Sequence, residues 1–350
     1  MRAFDVNADR MKRKYQNIFW ALGLVAIAVM LLTFDIDYHE LWENIRNAGW
    51  WFVAIMALWL VIYLLNTFSW LSLLDLKNTG GASAPKVGFL QMYKYTISGF
   101  ALNDATPCGL MGGEPYRIME LTPLVGGVRA TSSVVAYTMM HVLCHISFWL
   151  CSAIVFLIFY DVEGWITGFC IATIIVCSCL VYLFMIGYRK GIADKLMRLL
   201  CKLPLIGKKI TGFYEKHADA FVRADKQIAS LHGERRMAFV KSFAYEFASR
   251  CLTGVEIYLI MLSIHSDASL LDSIMIIAFT SLLSNLCFFM PMQLGAREGG
   301  FALAIAGLSM TGSVGAFVAI ICRVRDLLWI IIGVLLIKVR CGKPDVTVRV

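Results

Sequence analysis

Long apolar runs alternate with short polar segments along most of the chain. A helix needs roughly 20 residues to cross a hydrocarbon layer of about 30 Å. Uncharged runs close to or above this length are Ile18–Phe34, Trp50–Leu74, Ser132–Tyr160, Gly164–Tyr188 and Ser273–Ala296. Met237–Ile264 and Gly312–Ile337 are similarly long but contain charged residues. The pattern predicts an all-α polytopic membrane protein.

Composition supports the same class. Of the 350 residues, 59% are hydrophobic and 16% are charged, whereas about a quarter of an ordinary soluble domain is charged. We therefore expect a single integral membrane domain that covers residues 1–350.

The net charges of the connecting segments predict the orientation of the chain in the membrane. The segment Asp35–Gly49 holds four acidic residues against Arg46 alone, and Asp161–Glu163 and Asp267–Asp272 contain acids without Lys or Arg. Lys and Arg concentrate on the cytoplasmic side of membrane proteins. These three loops are thus predicted to face outward, and the basic N- and C-terminal tails to lie in the cytoplasm.

The most basic segment, residues 189–236, holds twelve Lys and Arg against five Asp and Glu. Its surplus of seven nearly accounts for the net charge of +8 of the whole chain, so the charge does not indicate a nucleic-acid partner. We interpret the segment as a cytoplasmic loop. The amphipathic stretch Ile192–Leu203 either lies along anionic headgroups or belongs to a loop that is simply solvated.

The orientation leaves two segments that enter the membrane and are broken inside it. Residues 88–130 must enter from the cytoplasm and return, which predicts a re-entrant hairpin. Residues 273–312 contain a second break and form either a re-entrant hairpin from outside or a full crossing with a short return. The expected breaking residues are Pro107, Gly112, Gly113, Pro291 and Gly295.

The two breaks share a pattern. Pro107–Glu114 and Pro291–Glu298 both read Pro-x6-Glu, with glycine between and an arginine close to the glutamate. Inverted repeats with broken helices are a recurrent design of transport proteins. Together the segments predict about six full transmembrane helices plus two broken segments, arranged as an inverted repeat.

Charged residues at membrane depth are the candidate site. Each costs at least about 2.5 kcal/mol on insertion scales, so such residues tend to be paired and functional. Arginines among them would hold a phosphate through forked hydrogen bonds, or would instead form internal ion pairs with Glu114 or Glu298. The candidates for a headgroup-binding cavity are Glu114, Arg117, Arg297, Glu298, Arg323, Arg325 and Asp326.

Other polar residues favour structural roles. Glu246 and Arg250 are four residues apart on a predicted helix and are expected to pair, while Asn103 and Asp104 are expected to cap a half-helix. His141 and His145 have a spacing that can hold a metal, but no third ligand is evident. We predict no metal and no other cofactor.

At the two breaks the chain resembles a known family, the lysylphosphatidylglycerol synthase transmembrane region. Asn103–Leu121 is similar to its Pro-Gly-x-x-Gly-Glu-x-x-Arg stretch, and Pro291–Leu308 to its Pro-x-x-x-Gly-x-x-Glu stretch. This region is also described as the flippase-like domain of the multiple peptide resistance factors. In full-length members a cytosolic aminoacyl transferase follows it. The chain ends 13 residues after its last apolar run, so lysyl transfer is not expected of it.

The resemblance implies a flippase that moves a phospholipid or lipid-linked precursor across a bacterial inner membrane. An intramembrane transferase acting on a phospholipid or polyprenyl-phosphate, with Glu114 or Glu298 as base, is an alternative. A small-anion secondary transporter is another. The expected partners are membrane lipids, with either a second copy of the chain or a separate lipid-modifying enzyme beside them.

Overall fold

The computed structural model describes residues 14–25, 46, 48–74, 87–106, 112–160, 164–190, 235–287, 293, 295–308 and 312–339. These residues form helices joined by turns, which confirms the all-α prediction. Residues 14–25 are a helical segment. The helices that follow are α1 (Trp50–Leu73), α2 (Phe89–Ala105), α3 (Gly113–Val125), α4 (Gly127–Phe159), α5 (Gly164–Lys190), α6 (Arg236–Ser263), α7 (Leu270–Leu286), α8 (Ala296–Gly307) and α9 (Gly312–Lys338).

Three of these helices are long and apolar enough to cross a membrane: α1, α4 and the part Ile166–Ile186 of α5. Helices α6 and α9 have 28 and 27 residues but carry charges. The predicted first span, Ile18–Phe34, is described only as far as residue 25. Most of the basic loop, residues 191–234, lies outside the described residues.

The apolar run Ser273–Ala296 is not one continuous helix. Helix α7 ends at Leu286 after 17 residues, and α8 begins at Ala296 and has 12. The first broken segment has nearly the same lengths, with 17 residues in α2 and 13 in α3. Each leg falls short of the roughly 20 residues that a full crossing takes. These lengths of the described helices are consistent with a re-entrant hairpin at both breaks, which stays a prediction.

Each pair of short helices folds back on itself. In the first hairpin, α3 returns along α2, so that Asn103 meets Gly113 and Thr96 meets Arg117. In the second, α8 returns along α7, and a Cβ added at Gly300 would lie 3.1 Å from the Cα of Thr280. The order of long helix, hairpin and long helix occurs twice, in α1–α4 and in α6–α9. This order supports the predicted repeat.

The chain divides into two compact units. The first contains the described parts of residues 1–67, 86–120 and 248–349, and the second those of 68–85 and 121–247. In the second unit, the Oγ atoms of Ser69 and Ser242 share a hydrogen bond of 2.8 Å and the ring of Trp70 stacks on Tyr137. The first unit holds α2, α7, α8, α9 and most of α3, and therefore both hairpins.

Within the first unit, α2 runs antiparallel to the second half of α9. Lys94, near the start of α2, donates to the carbonyl of Val339 at 2.6 Å, and Ser98 donates to that of Gly333 at 2.8 Å. Ala105, the last residue of α2, packs on Ile330 with Leu327 beside it. The first hairpin thus begins beside the C-terminus of α9 and reaches its middle.

The second hairpin approaches α9 from the opposite end. Ala302 of α8 lies against Gly315, and Arg297, at the start of α8, bonds to Asp326. Since α2 ends beside Leu327, the end of α2 and the start of α8 lie at the same height, at the middle of α9. The two hairpins therefore approach the middle of α9 from its opposite ends, as an inverted repeat requires.

The contact between α2 and α9 depends on Gly333. A Cβ added there would lie 2.3 Å from the Cβ of Ala101 and 3.1 Å from the carbonyl oxygen of Ile97. We expect Gly333→Ala to destabilise the protein by about 1 to 3 kcal/mol, the usual cost of overpacking. Thermal unfolding of the purified protein in detergent measures the loss.

Gly168→Ala on α5 is the matched control, because a Cβ at Gly168 meets nothing within 4 Å. It is expected to leave the unfolding temperature unchanged or slightly raised. Equal effects of the two substitutions would contradict the packing of α2 on α9.

Candidate functional site

The tip of the first hairpin is held by Asn103. Its Oδ1 accepts the backbone N–H of Gly113 at 2.8 Å, and its Nδ2 donates to Glu114 at 3.0 Å. Asn103 thus satisfies the first N–H group of α3 from across the break, the task of a helix cap. The capping prediction holds for Asn103. Asp104 instead lies inside the last turn of α2 with an exposed side chain.

Glycine lets α2 and α3 approach closely. A Cβ at Gly113 would lie 2.1 Å from the carbonyl oxygen of Gly99, and one at Gly99 would lie 2.2 Å from the Nε of Arg117. Arg117 is buried, with its guanidinium 4.6 Å from the centre of the Phe100 ring and 3.4 Å from Glu114. Arg117 and Glu114 therefore form an enclosed ion pair within the first hairpin.

The tip of the second hairpin is more open. Gly295 has a φ of +77°, a left-handed conformation that favours glycine. Its backbone N–H donates to Oε2 of Glu298 at 2.8 Å, so the carboxylate caps the start of α8. The other oxygen of Glu298 accepts from Nε of Arg323 at 2.6 Å. Glu298 thus joins the second hairpin to α9.

The middle of α9 carries the remaining candidates, and each is paired. Arg297 contacts Asp326 at 2.5 Å, and Arg325 contacts Asp326 at 2.5 Å and Glu256 of α6 at 2.8 Å. With Arg323 and Glu298, these form a cluster of three arginines and three carboxylates, which we call the α9 cluster. The internal ion pairs considered as an alternative are present, including Arg323 with Glu298.

The α9 cluster has a buried part and an accessible part. The side chains of Arg325 and Glu256 are only 3% and 1% exposed, and the Arg325 guanidinium lies 4.0 Å from the centre of the Trp59 ring. By contrast, Glu298 is 36% exposed, Arg297 21% and Arg323 13%. Arg325 therefore serves mainly to hold α1, α6 and α9 together, whereas Arg297, Arg323 and Glu298 can reach a ligand.

Sequence reasoning missed two members of this region. Glu256 of α6 is not among the predicted site residues, although an acid within a long apolar run is itself a signal. Asp104 is predicted to cap a half-helix, yet it lies near enough to Asp326, Arg297, Arg325 and Arg117 to interact with them electrostatically. Both are acids at membrane depth, and such acids are candidate functional residues.

The remaining predictions concern residues away from the cluster. His141 contacts Glu246 at 2.5 Å within the second unit, and no group of three His, Cys, Asp or Glu able to hold a metal occurs among the described residues. Pro107 and Pro291 lie outside the described residues. Gly112 closes on α2, since a Cβ there would lie 2.8 Å from the carbonyl oxygen of Leu102.

Fold and site together define a polytopic α-helical membrane protein in which two inverted hairpins meet at a charged cluster. The chain belongs to the lysylphosphatidylglycerol synthase TM region family, whose model matches residues 18–333. A UPF0104 membrane protein of Methanothermobacter thermautotrophicus is 24% identical to it over 330 residues, which cover 87% of this chain and 89% of that protein. No solved structure matches the chain.

The buried pair of Arg325 and Glu256 yields a stability prediction. Arg325→Met leaves the carboxylate of Glu256 buried without its partner and is expected to cost about 3 to 5 kcal/mol. The double variant Arg325→Met with Glu256→Met should cost less than the sum of the two single substitutions. Thermal unfolding in detergent of the single and double variants measures this coupling.

Lys241→Met, an exposed change on the same helix α6, is the control and should leave stability nearly unchanged. Strict additivity of the two single substitutions would show that the buried residues do not act as a pair.

Proposed function

We propose that the protein translocates a phospholipid or lipid-linked precursor across a bacterial inner membrane, with its termini in the cytoplasm. The flippase-like domain that the sequence resembles suggests this activity, and the name of the family refers to a phospholipid. Three features of the first unit support a lipid as the substrate. They are a site for a phosphate, a path for acyl chains and an inverted pair of hairpins.

The phosphate site is the accessible part of the α9 cluster. Arg297 and Arg323 offer planar guanidinium groups that match the geometry of a phosphate. The first turn of α8, where Arg297 and Glu298 lie, adds the positive end of a helix dipole. A headgroup phosphate would replace the carboxylate of Glu298 or Asp326 as the partner of these arginines.

An apolar groove beside the cluster carries the case for a lipid over a small anion. It has a volume of about 630 Å³, runs between α1, α2 and α9, and is lined almost entirely by apolar side chains. Trp329 at this groove is one helical turn from Arg325 and Asp326. Residues of the lining include Met56, Leu60, Tyr93, Ile97, Trp329 and Leu336. A polar site that adjoins an apolar groove suits a molecule with a charged head and acyl chains.

The inverted hairpins supply the means of alternate access. Each enters from one side of α9 and ends at its middle, so a movement of either hairpin would open the cluster toward one side of the membrane. This is the arrangement in which broken helices meet at a shared site in many transporters.

Arg297→Lys tests the phosphate site. Lysine keeps the charge opposite Asp326 but loses the forked donor geometry, and a charge-assisted hydrogen bond contributes about 1.5 to 3 kcal/mol. We expect the rate of translocation to fall about tenfold or more, and Arg323→Lys to behave alike. The rate is measured with fluorescent phosphatidylglycerol in liposomes that contain the purified protein.

Arg236→Lys, an exposed change at the start of α6, should translocate like the wild type. No movement of phosphatidylglycerol or of any lipid extracted from the host membrane would refute the proposal. Uptake of inorganic phosphate in its place would indicate the small-anion transporter, and a chemically altered lipid in mass spectra would indicate the transferase.

A further inference from the structure

We propose that Asp104 binds a monovalent cation, a proton or a sodium ion, that moves together with the lipid. This inference rests on the proposed function and names its energy source. It follows from the position of Asp104, from the charges that face it and from the charge balance of the cluster.

Asp104 lies where a carboxylate needs a cation. It is in the last turn of α2, at the negative end of the helix dipole, where acids are disfavoured and cations are stabilised. Its neighbour Ala105 packs against Ile330 and Leu327 of α9, so Asp104 is at the height of the α9 cluster. Its side chain is nevertheless exposed, so other protein atoms do not cover the carboxylate.

The elements around Asp104 contribute charges of both signs. Arg297 of α8, Arg325 of α9 and Arg117 of α3 attract its carboxylate, and Asp326 of α9 repels it. Each of these arginines forms an ion pair with another acid: Arg297 and Arg325 contact Asp326, and Arg117 contacts Glu114. Asp104 is therefore attracted by arginines that are already paired with other acids.

The α9 cluster together with Asp104 lacks one positive charge for neutrality. Among the described residues, the α9 cluster has three arginines and three carboxylates, and Asp104 adds a fourth carboxylate. Binding an anionic phosphate at Arg297 and Arg323 would add a further negative charge. Like charges repel strongly in a site of low dielectric. A cation taken up by Asp104 offsets this charge, and so couples cation binding to headgroup binding.

The coupling is tested in liposomes that contain the purified full-length protein and fluorescent phosphatidylglycerol. A gradient of one pH unit, or a tenfold sodium gradient, is imposed in separate arms. If one cation moves with each lipid, one of these gradients should change the ratio of labelled lipid between the two leaflets by about tenfold. Asp104→Asn should abolish this shift, and Asp267→Asn, an exposed loop control, should keep it.

A response to the pH gradient identifies a proton and a response to sodium identifies a sodium ion, and either supports the proposal. Translocation by the wild type that ignores both gradients would overturn it and leave the proposed function standing. A shift that persists in Asp104→Asn would also overturn it.

A second measurement needs no transport and applies if Asp104→Asn is inactive or if no lipid is moved. Infrared difference spectra of the wild type between acidic and neutral pH should contain a protonated carboxyl band that is missing in Asp104→Asn, or sodium binding by the purified protein should be lost in that variant. The absence of both signals in the wild type would refute the cation site itself. Asp104→Glu, which keeps the carboxylate, should retain the signal.

Discussion

The structure of the first unit depends on the need to compensate charges at the middle of α9. Helix α9 is long and mostly apolar but has two arginines and an aspartate at mid-length. In a membrane, each of these charges costs free energy unless it is paired. The partners come from other helices: Glu256 from α6, and Arg297 and Glu298 from α8. Since each pair needs short distances, these contacts determine how α6, α8 and α9 pack. The break before α8 is part of this arrangement, because it brings Arg297 to the height of Asp326.

These ion pairs differ in how readily a ligand can replace the carboxylate. In the partly exposed pair of Arg323 and Glu298, a phosphate can replace the carboxylate, because the pair is open to a ligand on the side of Glu298. The buried pair of Arg325 and Glu256 cannot be opened in this way, because either charge would remain without water or partner. Burial thus separates residues that maintain the fold from residues that can bind a ligand, although their chemistry is alike.

The two breaks and the charges beside them could be predicted from sequence because Pro, Gly and charged residues act locally. Apart from Glu114 and Glu298, the partners of the arginines could not. Nothing in the spacing of α6 indicates that Glu256 faces Arg325, since the two are far apart in sequence and meet only through packing. The roles of Asn103 and Asp104 differ by a single position in the last turn of α2, which sequence periodicity does not resolve. The close contact of Gly333 with Ala101 likewise depends on the tertiary register of two helices.

The two hairpins have the same topology but unequal tips. In the first, Gly99 and Gly113 are so tightly enclosed that an added Cβ would overlap neighbouring atoms, and Arg117 fills the remaining space. In the second, a Cβ at Gly295 or Gly299 would meet nothing within 4 Å. A close-packed tip resists displacement, because its contacts must all be lost together. Arg297 therefore lies in the part of the second hairpin that has room for a ligand, next to Gly295 and Gly299, whereas Asp104 lies on the closely packed first hairpin.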